Sequence, residues 1–187
     1  MSRILEKLRS SLEGAPVVQF GEYDYFVHSI TDGIPPGDPE VLEEVVDAFL
    51  RIGNFDCDKI ITAEAMGFPL AALLSVRTGR PYLFLRKKNY GLPGEVSVKQ
   101  ITGYSKGDLY LNFVGPGDRV VFVDDVISTG GTLRAVVEAL RATRATVVDI
   151  LVVFDKMKDK SRLEGEIGLP IKALLRVDVV DGKVLVL

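Results

Sequence analysis

The sequence is short of cysteine, histidine and excess positive charge, and each shortage argues against a class of protein. Its 187 residues include one cysteine and one histidine, and the formal net charge is -3 with a pI of about 5.3. A single cysteine, Cys57, cannot form an internal disulfide and belongs to no metal-ligand cluster. Nucleic-acid surfaces are normally basic, so the acidic balance argues against one. A lone histidine, here His28, is more often structural than catalytic.

Long apolar runs are also absent. No stretch approaches the roughly 18 apolar residues that a membrane span requires. The N-terminal residues alternate charged and apolar side chains and lack the unbroken apolar core of a signal peptide. We therefore expect a soluble cytoplasmic protein. The hydrophobic fraction of 47% suits a packed core, and the length predicts a single domain over residues 1–187.

Strands and helices alternate along the chain. Helical spacing of apolar residues occurs at 3–13, 41–50, 69–78 and 132–141, and short apolar runs typical of strands occur at 17–20, 25–30, 59–62, 82–85, 119–123, 146–154 and 171–180. Turn residues fill 31–39, and the Lys- and Gly-rich stretch 86–107 predicts a long excursion with a hairpin. The alternation predicts an α/β fold, a mostly parallel sheet with helices on both faces. Ligands bind such sheets beyond the carboxyl ends of the strands.

The most informative segment is 120–133, which reads VVFVDDVISTGGTL. An apolar strand is expected to end here in two adjacent carboxylates, Asp124 and Asp125, before a turn rich in hydroxyls and glycine and then a helix. The glycines let backbone N–H groups turn towards an anion, and the helix N-terminus adds unpaired N–H groups. Paired carboxylates can accept hydrogen bonds from a ribose diol or hold Mg²⁺. This order of parts predicts a sugar-phosphate site.

The same segment lacks the Gly-Lys-Ser/Thr of a Walker A loop and the G-x-G-x-x-G of a dinucleotide fingerprint. It resembles instead the phosphoribosyl-pyrophosphate signature of type I phosphoribosyltransferases. The resemblance implies the type I phosphoribosyltransferase fold. It also implies a small N-terminal hood at 1–35 and a flexible β-hairpin lid at 86–107.

Two further segments carry the same resemblance. Residues 60–69 follow a strand and open a helix, where the family places a pyrophosphate loop, and the resemblance implies a strained or cis peptide within 63–66. The basic segment 86–94 resembles the Arg-Lys-Lys and Leu-Pro-Gly stretch of adenine phosphoribosyltransferases. Cations there would stabilise the negative charge that develops on departing pyrophosphate.

Residues 95–107 resemble the mobile loop that closes over the reaction in this family. Tyr104 and Lys106 stand where adenine phosphoribosyltransferases carry a Tyr and a Lys. Gly103 stands where those enzymes carry a Glu that assists proton transfer at the base. This departure leaves the general acid or base unassigned.

The resemblance implies a role for each residue of the candidate site. The implied catalytic residues are Asp124, Asp125, Tyr104 and Lys106. The phosphoribose would lie against Asp124, Asp125, Val126, Ile127, Ser128, Thr129, Gly130, Gly131 and Thr132. The pyrophosphate would lie against Glu64, Ala65, Met66, Gly67, Arg86 and Lys88. The base would contact Phe26 and Val126, although Phe26 could equally be a core residue, and Mg²⁺ would bind through the substrate with Asp124 and Asp125 as candidate ligands.

Over nearly its whole length the chain looks like the archaeal hypoxanthine/guanine phosphoribosyltransferases, which are themselves similar to the adenine enzymes. The likeness implies a homodimer that makes IMP or GMP from phosphoribosyl pyrophosphate and a purine base. We expect neither a nucleic-acid partner nor membrane association. Two alternatives stay open. One is an adenine phosphoribosyltransferase giving AMP, because base choice rests on a few hydrogen bonds. The other is a non-catalytic regulator that senses phosphoribosyl pyrophosphate.

Overall fold

The computed structural model describes residues 5–21, 23–101 and 106–187. The strands are β1 Val17–Phe20, β2 Tyr23–Phe26, β3 Lys59–Ala63, β4 Tyr82–Leu85, β5 Val96–Ile101, β6 Lys106–Leu111, β7 Arg119–Ile127, β8 Thr146–Asp155, β9 Lys172–Val180 and β10 Lys183–Val186. The helices are α1 Glu6–Ser10, α2 Ser29–Asp32, α3 Pro39–Ile52, α4 Gly67–Thr78, α5 Gly131–Ala142 and α6 Ser161–Ile167. Within these described ranges, no helix combines the length and apolar character needed to cross a membrane.

Six strands form the central sheet in the order β10-β9-β8-β7-β3-β4. The five strands from β9 to β4 run parallel, and β10 folds back antiparallel against β9. β3 and β7 are neighbours, with Ile60 opposite Val121, so their carboxyl ends meet at one edge of the sheet. The apolar residues 120–123 of β7 are all buried, as expected for a strand covered on both faces. The predicted mostly parallel sheet is confirmed.

Helices cover both faces of this sheet and form two cores. On one face, α3 and α4 pack their apolar residues against the sheet together with α1. On the other, α5, α6 and the β5–β6 hairpin form the second core. α3 starts where the Asp38 carboxylate accepts a hydrogen bond from the N–H of Glu40, with Pro39 at the first helical position. The hairpin predicted within 86–107 is present as the antiparallel pair β5 and β6, but it begins at Val96 and its second strand extends to Leu111.

The N-terminal segment departs from the sequence prediction. A strand was expected over 25–30, but β2 ends at Phe26 and the short helix α2 follows. The cause is local hydrogen bonding. His28 Nδ1 accepts from the N–H of Ile30 at 3.1 Å, and the Asp32 carboxylate accepts from the N–H of His28 at 3.0 Å. These side chains satisfy backbone donors that a strand would have paired, and the chain turns.

The strand before the glycine-rich turn is longer than predicted. It was expected to end at residue 123, whereas β7 continues to Ile127 and includes both Asp124 and Asp125. The cause is the neighbouring strand β8, which runs alongside so that Asp124 lies opposite Val152 and Ile127 opposite Asp155. The carboxylates are therefore held by a sheet and not by a loop. The prediction also missed α6 and β10, whose short spans give little periodic signal.

Candidate functional site

An open pocket with a cavity volume of about 160 Å³ lies beyond the carboxyl ends of β3 and β7. Open α/β sheets bind ligands at this edge. The pocket is lined by Tyr25, Thr31, Ala63, Glu64, Ala65, Met66, Phe122, Asp124, Asp125, Val126, Ile127, Ser128, Thr129, Gly130, Thr132, Leu133 and Val152. It thus brings together the two loops that the sequence placed after separate strands.

The paired carboxyl groups of Asp124 and Asp125 line this pocket from the end of β7. The N–H of Asp125 donates to Asp124 Oδ1 at 3.1 Å. Burial raises the pKa of Asp124 to about 6, and hydrogen bonds with Asp125 oppose part of the rise. Burial also raises the pKa of Asp125 well above its usual value, and the charge of Asp124 adds to the effect. Two carboxyl groups in this situation favour a ligand that donates hydrogen bonds or carries positive charge.

The turn after β7 has the conformation of an anion-binding turn. Gly130 has a φ of +72°, and a Cβ at this position would overlap the side chain of Leu163 on α6. Both the backbone conformation and the close packing therefore require glycine. α5 begins at Gly131 without a side-chain cap, so N–H groups of its first turn can bind an anion. Ser128 and Thr129 add hydroxyl groups to the lining.

The loop after β3 lies beside the carboxylates. Its peptide bond between Glu64 and Ala65 is cis, as the family resemblance implied for this loop. The Glu64 carboxylate accepts a hydrogen bond from the N–H of Lys87 at 2.8 Å. Gly67 does not line the pocket, but a Cβ there would overlap Thr62 Oγ1 and lie 3.2 Å from Asp124 Oδ1. The start of α4 therefore packs directly against the carboxylate pair.

The predicted pyrophosphate cations do not line the pocket in this structure. Arg86 forms an ion pair with Glu95 at 2.5 Å and hydrogen-bonds Asn112 Oδ1. Its guanidinium carbon also lies 4.7 Å from the ring centroid of Tyr90. Lys88 Nζ lies 5.2 Å from the same ring centroid. The partners are Glu95 and Tyr90, which the sequence prediction did not weigh. Glu95 pairs with Arg86, and the ring of Tyr90 lies near both cations.

Of the two adjacent aromatic residues on β2, Tyr25 lines the pocket and Phe26 does not. Phe26 is 3% exposed and packs edge-on against Phe154 with ring centroids 5.5 Å apart, so its predicted base-stacking role is wrong for this arrangement. Alternation along a strand puts adjacent side chains on opposite sides, so only one of the two aromatics can face the pocket. That alternation was the available signal for Tyr25. Val126, the other predicted base contact, does line the pocket.

The remaining predicted residues fall outside the lining or outside the described residues. The histidine is structural in this arrangement: His28 is buried, its Nε2 lies 2.9 Å from Ser11 Oγ, and burial lowers the pKa of its imidazole. Gly131 starts α5 without lining the pocket. Gly103, Tyr104 and the side chain of Lys106 lie outside the part of the chain that the structure describes.

Solved adenine phosphoribosyltransferases share this fold. The enzyme from Thermoanaerobacter pseudethanolicus has a TM-score of 0.75 at 23% identity, and the match covers 92% of this chain and 99% of that chain. The enzyme from Trypanosoma brucei, in complex with AMP, pyrophosphate and ribose-5-phosphate, has a TM-score of 0.72 at 21% identity, over 92% and 79% of the two chains. The fold is therefore that of the type I phosphoribosyltransferases.

Sequence comparison identifies the family. Residues 42–167 match the phosphoribosyl transferase domain. Hypoxanthine/guanine phosphoribosyltransferases from Methanobacterium paludis and Methanothermobacter thermautotrophicus are 50% and 52% identical to this chain. These matches cover 98% and 97% of this chain and 96% and 94% of the relatives. The chain belongs to the phosphoribosyltransferase family.

Proposed function

We propose that this enzyme transfers the 5-phosphoribosyl group of phosphoribosyl pyrophosphate to hypoxanthine or guanine, giving IMP or GMP plus pyrophosphate. The observation that carries the proposal is one pocket lined by the Asp124–Asp125 pair, by the glycine-rich turn and by the loop after β3. Relatives with about 50% sequence identity over nearly the whole chain are named for this activity. The product would serve purine salvage.

The phosphoribose would bind to the end of β7 and the turn that follows. The turn residues 128–132 would hold the 5′-phosphate through backbone N–H groups and hydroxyls. Asp124 and Asp125 would accept hydrogen bonds from the ribose diol. Burial disfavours the ionised form of both carboxyl groups and so raises their pKa values, and hydrogen-bond donors on a bound ribose would offset that effect. Val126 and Ile127 would contact the nucleotide where the sugar joins the base.

Pyrophosphate would bind to the loop of Glu64, Ala65 and Met66, with Gly67 keeping that loop close to the carboxylates. Arg86 and Lys88 would join it only after exchanging their present partners. Arg86 Nε and Asn112 Nδ2 are buried donors with no acceptor among the described residues. Oxygens of pyrophosphate would supply such acceptors and would favour the exchange.

The β5–β6 hairpin would close over the reaction, with Tyr104 and Lys106 reaching the substrate. Closure would keep water from the oxocarbenium-like ribosyl group that forms as pyrophosphate leaves. The purine nitrogen would then attack C1′. Positioning and charge stabilisation would supply most of the acceleration, since no covalent intermediate with the protein is needed.

Magnesium is the proposed cofactor, and the donor set fits a metal carried largely by the substrate. Asp124 and Asp125 supply hard oxygen ligands of the kind Mg²⁺ prefers. Within residues 5–21, 23–101 and 106–187, no group of three or more His, Cys, Asp or Glu side chains is placed to hold a metal ion. Mg²⁺ would neutralise charge on the pyrophosphate oxygens, and the two carboxylates would hold it directly or through water.

A homodimer is also proposed, and an apolar surface supports it. Four side chains on the outer side of α4 and on the edge strand β4 are exposed, namely Leu73, Val76, Tyr82 and Phe84. Phe68 of α4 contacts Phe84 of β4 with ring centroids 4.3 Å apart, so the helix and the edge strand are in contact here. Exposed apolar side chains beside an edge strand are typical of protein–protein interfaces.

Product formation tests the proposed function directly. Purified protein with phosphoribosyl pyrophosphate and Mg²⁺ should convert hypoxanthine and guanine to their nucleotides, with adenine and xanthine compared at equal concentration. Asp125→Ala should abolish turnover, whereas Asp178→Ala, which changes an exposed aspartate on β9, should not. Exclusive use of adenine would sink the assignment of the base. Tight binding of phosphoribosyl pyrophosphate without turnover of any base would favour a sensor over an enzyme.

A further inference from the structure

The Asp32 carboxylate lies at the centre of a hydrogen-bond cluster beside the pocket. Its Oδ1 accepts from the Tyr25 hydroxyl at 2.7 Å. Its Oδ2 accepts from Thr31 Oγ1 at 2.6 Å and from the N–H of His28 at 3.0 Å. Tyr25 and Thr31 line the pocket, whereas Asp32 does not. Asp32 therefore acts on the pocket through two other side chains.

The cluster fixes the direction in which both hydroxyl groups donate. An ionised carboxylate only accepts hydrogen bonds, and each hydroxyl has a single proton. The short contacts with Asp32 direct the protons of Tyr25 and Thr31 towards its carboxylate, although Thr31 Oγ1 also lies 3.4 Å from the backbone oxygen of His28. Towards a base the two oxygens then act as acceptors. A neutral amide in place of Asp32 would not impose this direction, because it offers both a donor and an acceptor.

The proposed binding mode brings the base of a nucleotide beside these two oxygens. α2, which carries Thr31, packs against β7, which carries Asp125 and Val126. The glycine-rich turn follows the carboxyl end of β7 and leads into α5. A nucleoside monophosphate with its 5′-phosphate on that turn and its ribose on the carboxylates would extend its base towards Tyr25 and Thr31.

We propose that Asp32 is a specificity-determining residue, which makes the edge formed by Tyr25 and Thr31 an acceptor for the N1–H of the base and so selects 6-oxopurines. This inference rests on the proposed function. Hypoxanthine and guanine carry a proton on N1, and guanine adds a 2-amino group, whereas N1 of adenine is a lone pair. Acceptors facing N1 bind the first two bases and repel the third. Sites built on such hydrogen bonds discriminate more sharply than apolar pockets do.

The test compares bases in variants that change the polarity of this edge. Asp32→Asn frees the hydroxyls to turn, and Tyr25→Phe keeps the ring but removes one acceptor. At saturating phosphoribosyl pyrophosphate, we expect each variant to lower the ratio of kcat/KM for hypoxanthine over adenine by about 10-fold or more, the usual effect of one lost hydrogen bond to a substrate. The KM for phosphoribosyl pyrophosphate should change little in Tyr25→Phe, which leaves the charge of Asp32 beside Asp125 in place. Asp24→Asn is the matched control, since its carboxylate accepts from Gln19 at 3.1 Å and does not line the pocket.

Two outcomes would overturn the inference. One is an unchanged base ratio in Tyr25→Phe, which tests the edge even if Asp32→Asn fails to fold. The other is a uniform loss for every base in Asp32→Asn, the pattern of a purely structural residue. Failure of the inference differs from failure of the proposed function. In the first case the unaltered protein still makes IMP and GMP, and in the second it makes neither.

Discussion

Asp124 on β7 and Gly67 at the start of α4 lie so close that no side chain fits between them: a Cβ on Gly67 would lie 3.2 Å from Asp124 Oδ1 and would overlap Thr62 Oγ1. Thr62 is fully buried and cannot move aside into solvent. The position of the loop after β3 and that of Asp124 are therefore coupled through one glycine.

We expect Gly67→Ala to displace α4 or Asp124 and to lower kcat/KM for phosphoribosyl pyrophosphate by about 10-fold or more, since small misplacements at a reacting centre are costly. Steady-state kinetics with both substrates would measure this. Gly165→Ala is the matched control, because Gly165 lies in α6 with nothing within 4 Å of the added methyl group. That change should leave activity intact and raise helix stability by about 0.5–1 kcal/mol. Equal activity in the two variants would contradict the coupling.

The carboxylate pair should reduce the stability of the ligand-free protein at neutral pH. Burial raises the pKa of Asp124 from its usual 3.8 to about 6. The folded state therefore holds this proton more tightly than the unfolded state does. Stability from this group is complete below pH 3.8 and is lost as the pH rises through about 6. We expect Asp124→Asn to raise the Tm of the free protein at pH 7.5, and the gain to shrink at pH 4.5.

Asp118 gives the opposite case and serves as the contrast. A hydrogen bond from Lys59 at 2.5 Å is the main cause that lowers the pKa of Asp118, so its ionised form stabilises the folded state. Asp118→Asn should lower the Tm at pH 7.5. Thermal unfolding of both variants across this pH range would check the signs. A lower Tm for Asp124→Asn at pH 7.5 would show that its carboxylate stabilises the free protein.

The conformation of the glycine-rich turn after β7 should depend on α6, because Leu163 of α6 packs against Gly130. Leu163 is 2% exposed and packs on Gly130, so Leu163→Ala opens a cavity directly under the turn. We expect a loss of about 2–5 kcal/mol in the free energy of unfolding and a raised KM for phosphoribosyl pyrophosphate. Ile167→Ala removes an equally buried side chain from the same helix without touching the turn. It should cost similar stability but leave that KM unchanged, and a raised KM in both variants would count against the support.

The apolar surface of α4 and β4 should control the oligomeric state. Val76 of α4 is 84% exposed on this surface, and Val76→Glu would place a charge in the proposed interface. We expect the variant to be monomeric by light scattering under conditions where the unaltered protein is dimeric. Val180→Glu, at an exposed valine on β9, should leave the mass unchanged. A dimer that survives Val76→Glu would place the interface elsewhere.

Much of the candidate site could be predicted because its parts are local. The carboxylate pair, the glycine turn and the start of α5 occupy one continuous segment, so their order along the chain already fixes their neighbourhood. The loop after β3 could be placed beside them because parallel strands meet at their carboxyl ends. Alternating strand and helix signals likewise predicted the sheet and its cover, although not the short α2, α6 and β10.

Only the tertiary structure decided which partner each remaining side chain takes. The sequence contains Arg86 and Glu95 as two charges, but the fold of the 87–95 segment joins them. The sequence contains Tyr25 and Phe26 as two adjacent aromatic residues, and packing against Phe154 decides which one is buried. Nothing local marks Asp32 as the acceptor of two pocket hydroxyls. Burial and pairing depend on what packs from distant parts of the chain, and that information is not carried by any single segment.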